Sequence, residues 1–104
     1  MTTPQRELLL TLIVPVDVAE TVEDLLLARS DLIEGFTGIA ADGHGSGLPL
    51  RAARELVSGH SPRLQIQTIA PEPALRELLA ALKAALPRAS LHYWLLPVLE
   101  RGRL

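Results

Sequence analysis

Two stretches decide the reading of this chain: Leu8-Leu9-Leu10-Thr11-Leu12-Ile13-Val14-Pro15 and Leu64-Gln65-Ile66-Gln67-Thr68-Ile69-Ala70-Pro71. Each is an apolar, β-prone run stopped by a proline, and each leads into a segment with apolar residues at helical spacing. With Pro15 laid on Pro71, Leu8/Leu64, Leu10/Ile66, Ile13/Ile69 and Leu26/Leu82 coincide without a gap. After the first proline, Asp17 and Glu20 sit as a capping pair, and Val18, Val22, Leu25 and Leu26 form a stripe that predicts a helix ending near Arg29. After the second, Pro71-Glu72-Pro73 opens a helix whose stripe is Leu75, Leu78, Leu79, Leu82 and Leu86, and Pro87 closes it.

A further β-like segment follows each helix: Ile33 to Ala41, weakened by Gly35 and Gly38, and Leu91 to Leu99, with Pro97 near its end. Strand–helix–strand, twice, is the plan of an α+β, ferredoxin-like βαββαβ sandwich. Its antiparallel four-stranded sheet carries both helices on one face. In the third strand Leu64, Ile66 and Thr68 alternate with Gln65 and Gln67, so one face meets the helices and the other is more polar. The first and fourth strands are apolar on both faces, with Leu9 and Ile13 opposing Leu8, Leu10 and Leu12, and Trp94 and Leu96 opposing Tyr93 and Leu95. Helices cover only one side of such a sheet, and a large bare apolar face is unusual in a monomer. The second face is expected to be buried by other subunits, a terminal segment folding over it being the alternative.

The chain has 104 residues, enough for one domain with one core, expected to span 1–104. A formal net charge of −2 gives no electrostatic footprint for nucleic acid. The absence of cysteine excludes disulfides, thiol nucleophiles and thiolate metal sites. The start, Met1 to Glu7, is polar and carries no export signal, and no apolar run approaches the ~20 residues of a bilayer span. A cytoplasmic protein that does not insert into membranes is the expectation.

The link from Asp42 to Pro62 is several times longer than the roughly 2–5 residues of an ordinary hairpin turn. It opens with Asp42-Gly43-His44-Gly45-Ser46-Gly47, passes a possible short helix from Leu50 to Val57, and closes with Ser58-Gly59-His60-Ser61-Pro62. His44, His60 and Asp42, with Glu55 beside them, offer nitrogen and oxygen donors suited to Zn2+, Ni2+, Co2+ or Cu2+, although their spacing matches no zinc signature and solvated loop histidines are the plain alternative. Arg63, Arg101 and Arg103 can hold a phosphate or carboxylate through paired N–H donors; Arg51 and Arg54 fit a solvated surface better. Enzyme signatures are missing. There is no GxSxG elbow around Ser46, Ser58 or Ser61, the Gly-rich turn lacks a phosphate-loop pattern, and only His92, Gln65 and Gln67 would serve an isomerase-like cleft on the sheet.

The doubled strand–Pro–helix unit, the Ile33-Glu34-Gly35-Phe36-Thr37 entry and the long central loop resemble the PII-like superfamily of trimeric signal proteins. Val57-Ser58-Gly59-His60, Leu64-Gln65-Ile66-Gln67 and the run from His92 to Arg103 are similar to a short branch encoded beside heavy-metal efflux pumps of the resistance-nodulation-division type. The resemblance implies a homotrimer, with residues 42–62 in the place of the T-loop, a small ligand in the cleft between subunits, and Arg101 and Arg103 as phosphate contacts. It also implies a regulatory, non-enzymatic role in transition-metal homeostasis, with a membrane efflux transporter as partner. A nucleotide- or small-anion-binding signal module unrelated to metals is the alternative. The Gly-Lys-rich loop that ATP-binding members carry before the last strand is replaced here by Pro87-Arg88-Ala89-Ser90.

Overall fold

A computed structural model of the chain describes residues 5–44 and 61–104. Its elements run β1 (Glu7–Pro15), a 3-10 turn (Val16–Val18), α1 (Ala19–Ala28), β2 (Thr37–Gly43), β3 (Ser61–Pro71), α2 (Glu72–Ala85) and β4 (His92–Pro97). The four strands form one sheet in the order β2-β3-β1-β4, antiparallel at every pairing. This is the arrangement expected from the doubled unit, with the two proline-terminated strands side by side at the centre.

The repeat extends to the backbone angles. Pro15 has φ −58° and ψ 141°, and Pro71 has φ −57° and ψ 145°. Each ring fixes φ and withholds a ladder donor, so each strand stops and the chain turns toward its helix. The two units differ in the next residues. Pro71 leads straight into α2, whereas Pro15 leads into the 3-10 turn, and Val18 rather than Asp17 takes the cap position of α1. The capping box expected at Asp17 and Glu20 is therefore displaced: Asp17 lies inside the extra turn and Glu20 in the first turn of α1.

The core lies between the sheet and the helices. Leu8, Leu10, Leu12 and Val14 of β1 point into it with Ile66 and Ala70 of β3, and meet Val22 and Leu26 of α1 and Leu75, Leu78 and Leu82 of α2. Alternation along β1 sends Leu9, Thr11 and Ile13 to the opposite face.

β2 starts at Thr37, four residues later than Ile33. The amides of Leu32 and Ile33 donate to the Arg29 carbonyl at 3.0 and 3.2 Å, so they continue the exit turn of α1 instead of joining a ladder. Ile33 is a buried core residue in that turn. The Thr68 hydroxyl donates to the Gly35 carbonyl at 2.6 Å and pins the entry of β2 to β3. Thr68→Val keeps the side-chain shape and removes this bond. A loss of about 1 kcal/mol is expected, read as a lower urea midpoint at unchanged slope. β4 likewise is shorter than the expected 91–99, because Pro97 ends its pairing with Leu8. The possible helix from Leu50 to Val57 lies outside the described residues. Among the described residues no helix is long and apolar enough to cross a membrane.

Candidate functional site

The strand registers lay out the uncovered face row by row. One row carries Leu96, Leu9 and Ile69; the next Trp94, Thr11, Gln67 and Thr37; a third His92, Ile13, Gln65 and Ile39; the last Pro15, Arg63 and Ala41. Trp94, Leu96 and Ile39 are 45%, 50% and 53% exposed. Thr11 is nonetheless fully buried, held beneath its cross-strand neighbours, and its hydroxyl accepts from Gln67 Nε2 at 3.3 Å. Among the described residues this face is mixed and partly open: Gln67, Ile39, Trp94 and Leu96 are exposed, whereas Thr11, Pro15 and Arg63 are buried.

A groove of about 390 Å3 opens at the edge of this face, where the entry of β2 runs past β3 and the C-terminal segment. Leu9 and Ile69 contribute apolar surface, Thr37 and Gln67 polar tips, and Glu34 and Arg101 charge. Arg101 reaches it because the Val98 amide donates to the Glu7 carbonyl at 3.2 Å, holding the last segment against β1. Its guanidinium grips the Glu7 carboxylate with Nε at 3.0 Å from Oε1 and Nη2 at 2.8 Å from Oε2.

The charges of this corner are fixed by that pair. Hydrogen bonding and attraction from Arg101 hold the Glu7 carboxyl below its ordinary 4.5, against a smaller opposing effect of desolvation. Arg101 is held more firmly protonated, by Glu7 first and by the field of Glu34 last. Arg101 thus has two carboxylate side chains near it, Glu7 in direct contact and Glu34 acting through space.

A carboxylate whose pKa is depressed on folding stabilises the fold above its unfolded value, and that contribution is lost as pH falls through the folded value. Arg101→Gln is therefore expected to remove part of the acid sensitivity that sets in below pH 4.5. It should also speed hydrogen exchange at the Val98 amide, which mass spectrometry on the C-terminal peptide would read. Unchanged exchange would show that the ion pair does not hold the segment.

The sequence-predicted ligands do not all meet here. Arg63 pairs with Pro15 at one end of β1, while Arg101 binds Glu7 at the other, a separation of about 26 Å at the usual rise of a strand. Arg63 is 5% exposed; its guanidinium donates to Ser61 Oγ and to the Pro62 carbonyl, the latter at 3.1 Å. Arg103 is exposed on the C-terminal segment. Asp42 and His44 stand at the end of β2 nearest Arg63, both exposed, while His60 and Glu55 lie outside the described residues. Among the described residues no group of three or more His, Cys, Asp and Glu side chains comes together to hold a metal ion. Glu7 and Glu34, which set the charge of the groove, were not legible as site residues. Both acquire that role only when the end of the chain returns beside the start of β1.

The fold has counterparts among solved structures. A DUF3240 family protein from Shewanella baltica superposes with a TM-score of 0.77 at 22% identity, over 97% of this chain and 99% of that one. CPII, a nitrogen regulatory PII-like protein from Thiomonas intermedia solved with ADP, AMP and bicarbonate, gives 0.69 at 20% identity over 94% of each chain. A putative PII-like signaling protein from Thermus thermophilus gives 0.61 at 19% identity, over 90% of this chain and 88% of that one. The chain has no match among curated proteins. The PII-like architecture read from the doubled unit is thus shared with these structures. With a family match that runs from residue 4 to residue 104, the chain belongs to DUF3240, described as a protein family of unknown function.

Proposed function

We propose that this chain is the subunit of a homotrimeric, non-enzymatic signal protein that binds a nucleotide or another small anion in a cleft between subunits. The observation that carries the reading is the groove beside Arg101. It opens on an uncovered apolar face, and within one chain its cation is outnumbered by Glu7 and Glu34. An anion there is repelled unless a second copy brings positive charge, for which Arg103, exposed on the C-terminal segment, and Arg63 are our candidates. Leu9, Ile69 and Phe36 offer apolar surface to a flat base, while Thr37 and Gln67 offer polar tips for its edge. CPII, with ADP and AMP bound on a similar fold, supports this choice of ligand class.

The link 42–62 stands in this reading in the place of a T-loop and reports ligand binding to a partner. The expected setting is cytoplasmic. Metal homeostasis and a membrane efflux partner, the first reading of the sequence, have no observation of this kind behind them, since Asp42 and His44 form no metal cluster among the described residues.

Calorimetry on the full chain with AMP, ADP and ATP tests the reading. Micromolar binding of at least one of them, weakened more than about tenfold by Arg63→Ala and unaffected by His44→Ala, is the expected result. Absence of heat with all three overturns the nucleotide reading, and absence of heat with bicarbonate and phosphate as well overturns the small-anion reading. Heat with Zn2+ or Ni2+ that disappears in His44→Ala would restore the metal reading.

A further inference from the structure

A second hollow lies on the other side of the sheet, away from the groove. Among the described residues two helices lie over the four strands, and β4 is an edge strand of the sheet. Between the outer side of α2 and β4 a cavity of about 370 Å3 remains. Its floor is Leu12, 1% exposed, and its walls include Leu79, Leu82, Leu86 and Leu91. Among the described residues, two side chains with polar tips line it. Tyr93, the cross-strand partner of Leu12, is 50% exposed there, and Lys83 projects from the last turn of α2. Lys83 is the one lysine in the whole chain; every other basic side chain apart from histidine is arginine.

The volume is within the roughly 300–1,000 Å3 range of small-molecule sites, and an apolar lining with a few convergent polar groups is their usual composition. Ten of the described residues line the hollow, well short of the roughly 20–30 per side of a stable protein interface. The occupant that fits is therefore a small molecule, apolar over most of its length. Lys83 decides the chemistry of its head. An ammonium at the rim of an apolar hollow favours an anion, and Tyr93 adds a hydroxyl donor. The end of α2 is the negative pole of the helix and works against an anion, an effect that Lys83 in the last turn offsets. Leu82 and Leu86 already accept from the amides of Leu86 and Ala89, at 2.9 and 3.2 Å.

We propose that this hollow binds a small amphiphilic carboxylate, with its hydrocarbon chain on Leu12 and the α2 leucines and its carboxylate on Lys83 and Tyr93. The site is separate from the groove beside Arg101 and does not depend on what that groove binds.

The single lysine makes the test specific. The rate of acetylation at Lys83, read by peptide mass, is compared with octanoate, acetate or 1-octanol present at equal concentration. Octanoate is expected to slow the reaction about tenfold relative to acetate, and 1-octanol much less, because a hydrogen bond to a charged group is worth about that factor. Ala80→Trp, which fills the hollow from an exposed position on α2, should abolish the protection while circular dichroism stays unchanged. Should that variant unfold, Lys83→Met keeps the hollow and gives a second readout: octanoate binding by calorimetry should then fall to the level of 1-octanol. No protection by octanoate overturns the proposal, as it would if a segment of the chain itself filled the hollow. Equal protection by octanoate and 1-octanol overturns the anionic class. Protection that survives Ala80→Trp places the binding elsewhere and overturns the site.

Discussion

Leu96→Glu is expected to convert the proposed trimer into monomers without unfolding the protomer. Leu96 stands on the uncovered face beside Leu9 and is 50% exposed in the single chain. For the isolated protomer a carboxylate there remains hydrated, so the change should cost within about 0.5 kcal/mol. In an assembly packed through this face, the same carboxylate must leave water among Trp94, Ile39 and their counterparts. Burying an unpaired charge is far costlier than burying a methyl group. A penalty of about 3 kcal/mol per contact weakens each contact more than about 100-fold, and a closed ring repeats the contact three times. Sedimentation at about 10 µM should show a trimer for the parent and a monomer for the variant, with the same urea midpoint extrapolated to dilute protein. A parent that sediments as a monomer ends the assembly reading. A variant that remains trimeric shows that the copies meet through another surface.

The repeat explains why so much of the architecture could be read directly. Pro15 and Pro71 end their strands through ring geometry alone, a local cause that needs no tertiary context. The burial of Leu8, Leu10 and Leu12 follows from period-two alternation, and that of Leu75, Leu78 and Leu82 from helical period, which are also local patterns. Ile33 and Asp17 show where local reasoning stops. Ile33 has the β-branched, apolar character of a strand, yet its amide is captured by the Arg29 carbonyl, and only the path of α1 determines that capture. Asp17 precedes an apolar stripe as a cap would, but a 3-10 turn intervenes and shifts the cap to Val18. The site was less legible than the fold because its members are distant in sequence. Arg101 and Glu7 are 94 residues apart and meet through the antiparallel return of the chain past β1. Arg63 and Arg101 look alike in composition, yet the register puts them at opposite ends of one strand, so any joint action requires two copies.

Neighbouring leucines of β1 separate the demands of folding from those of assembly. Leu10 is completely buried against the helices, and Leu10→Ala should cost about 3 kcal/mol, within the range seen when a core leucine leaves a cavity. That is a large fraction of the roughly 5–15 kcal/mol that holds a domain of ordinary stability together. The cavity lies inside the protomer, so the loss should be the same at every protein concentration. Leu9 is one residue away, points to the other face, and is only half buried in the single chain. Its truncation should cost the protomer less, because fewer atoms lose packing partners. In a trimer built on this face the missing methyl groups are also missing from the contact between copies. The measured loss for Leu9→Ala should therefore grow as the protein is concentrated, since association stabilises the parent more than the variant. Urea unfolding of both variants across a hundredfold range of protein concentration distinguishes the two cases. A concentration-independent loss at Leu10 with a concentration-dependent loss at Leu9 assigns one face to the core and the other to sibling subunits. Parallel behaviour at both positions would mean that the uncovered face is not used for assembly at all.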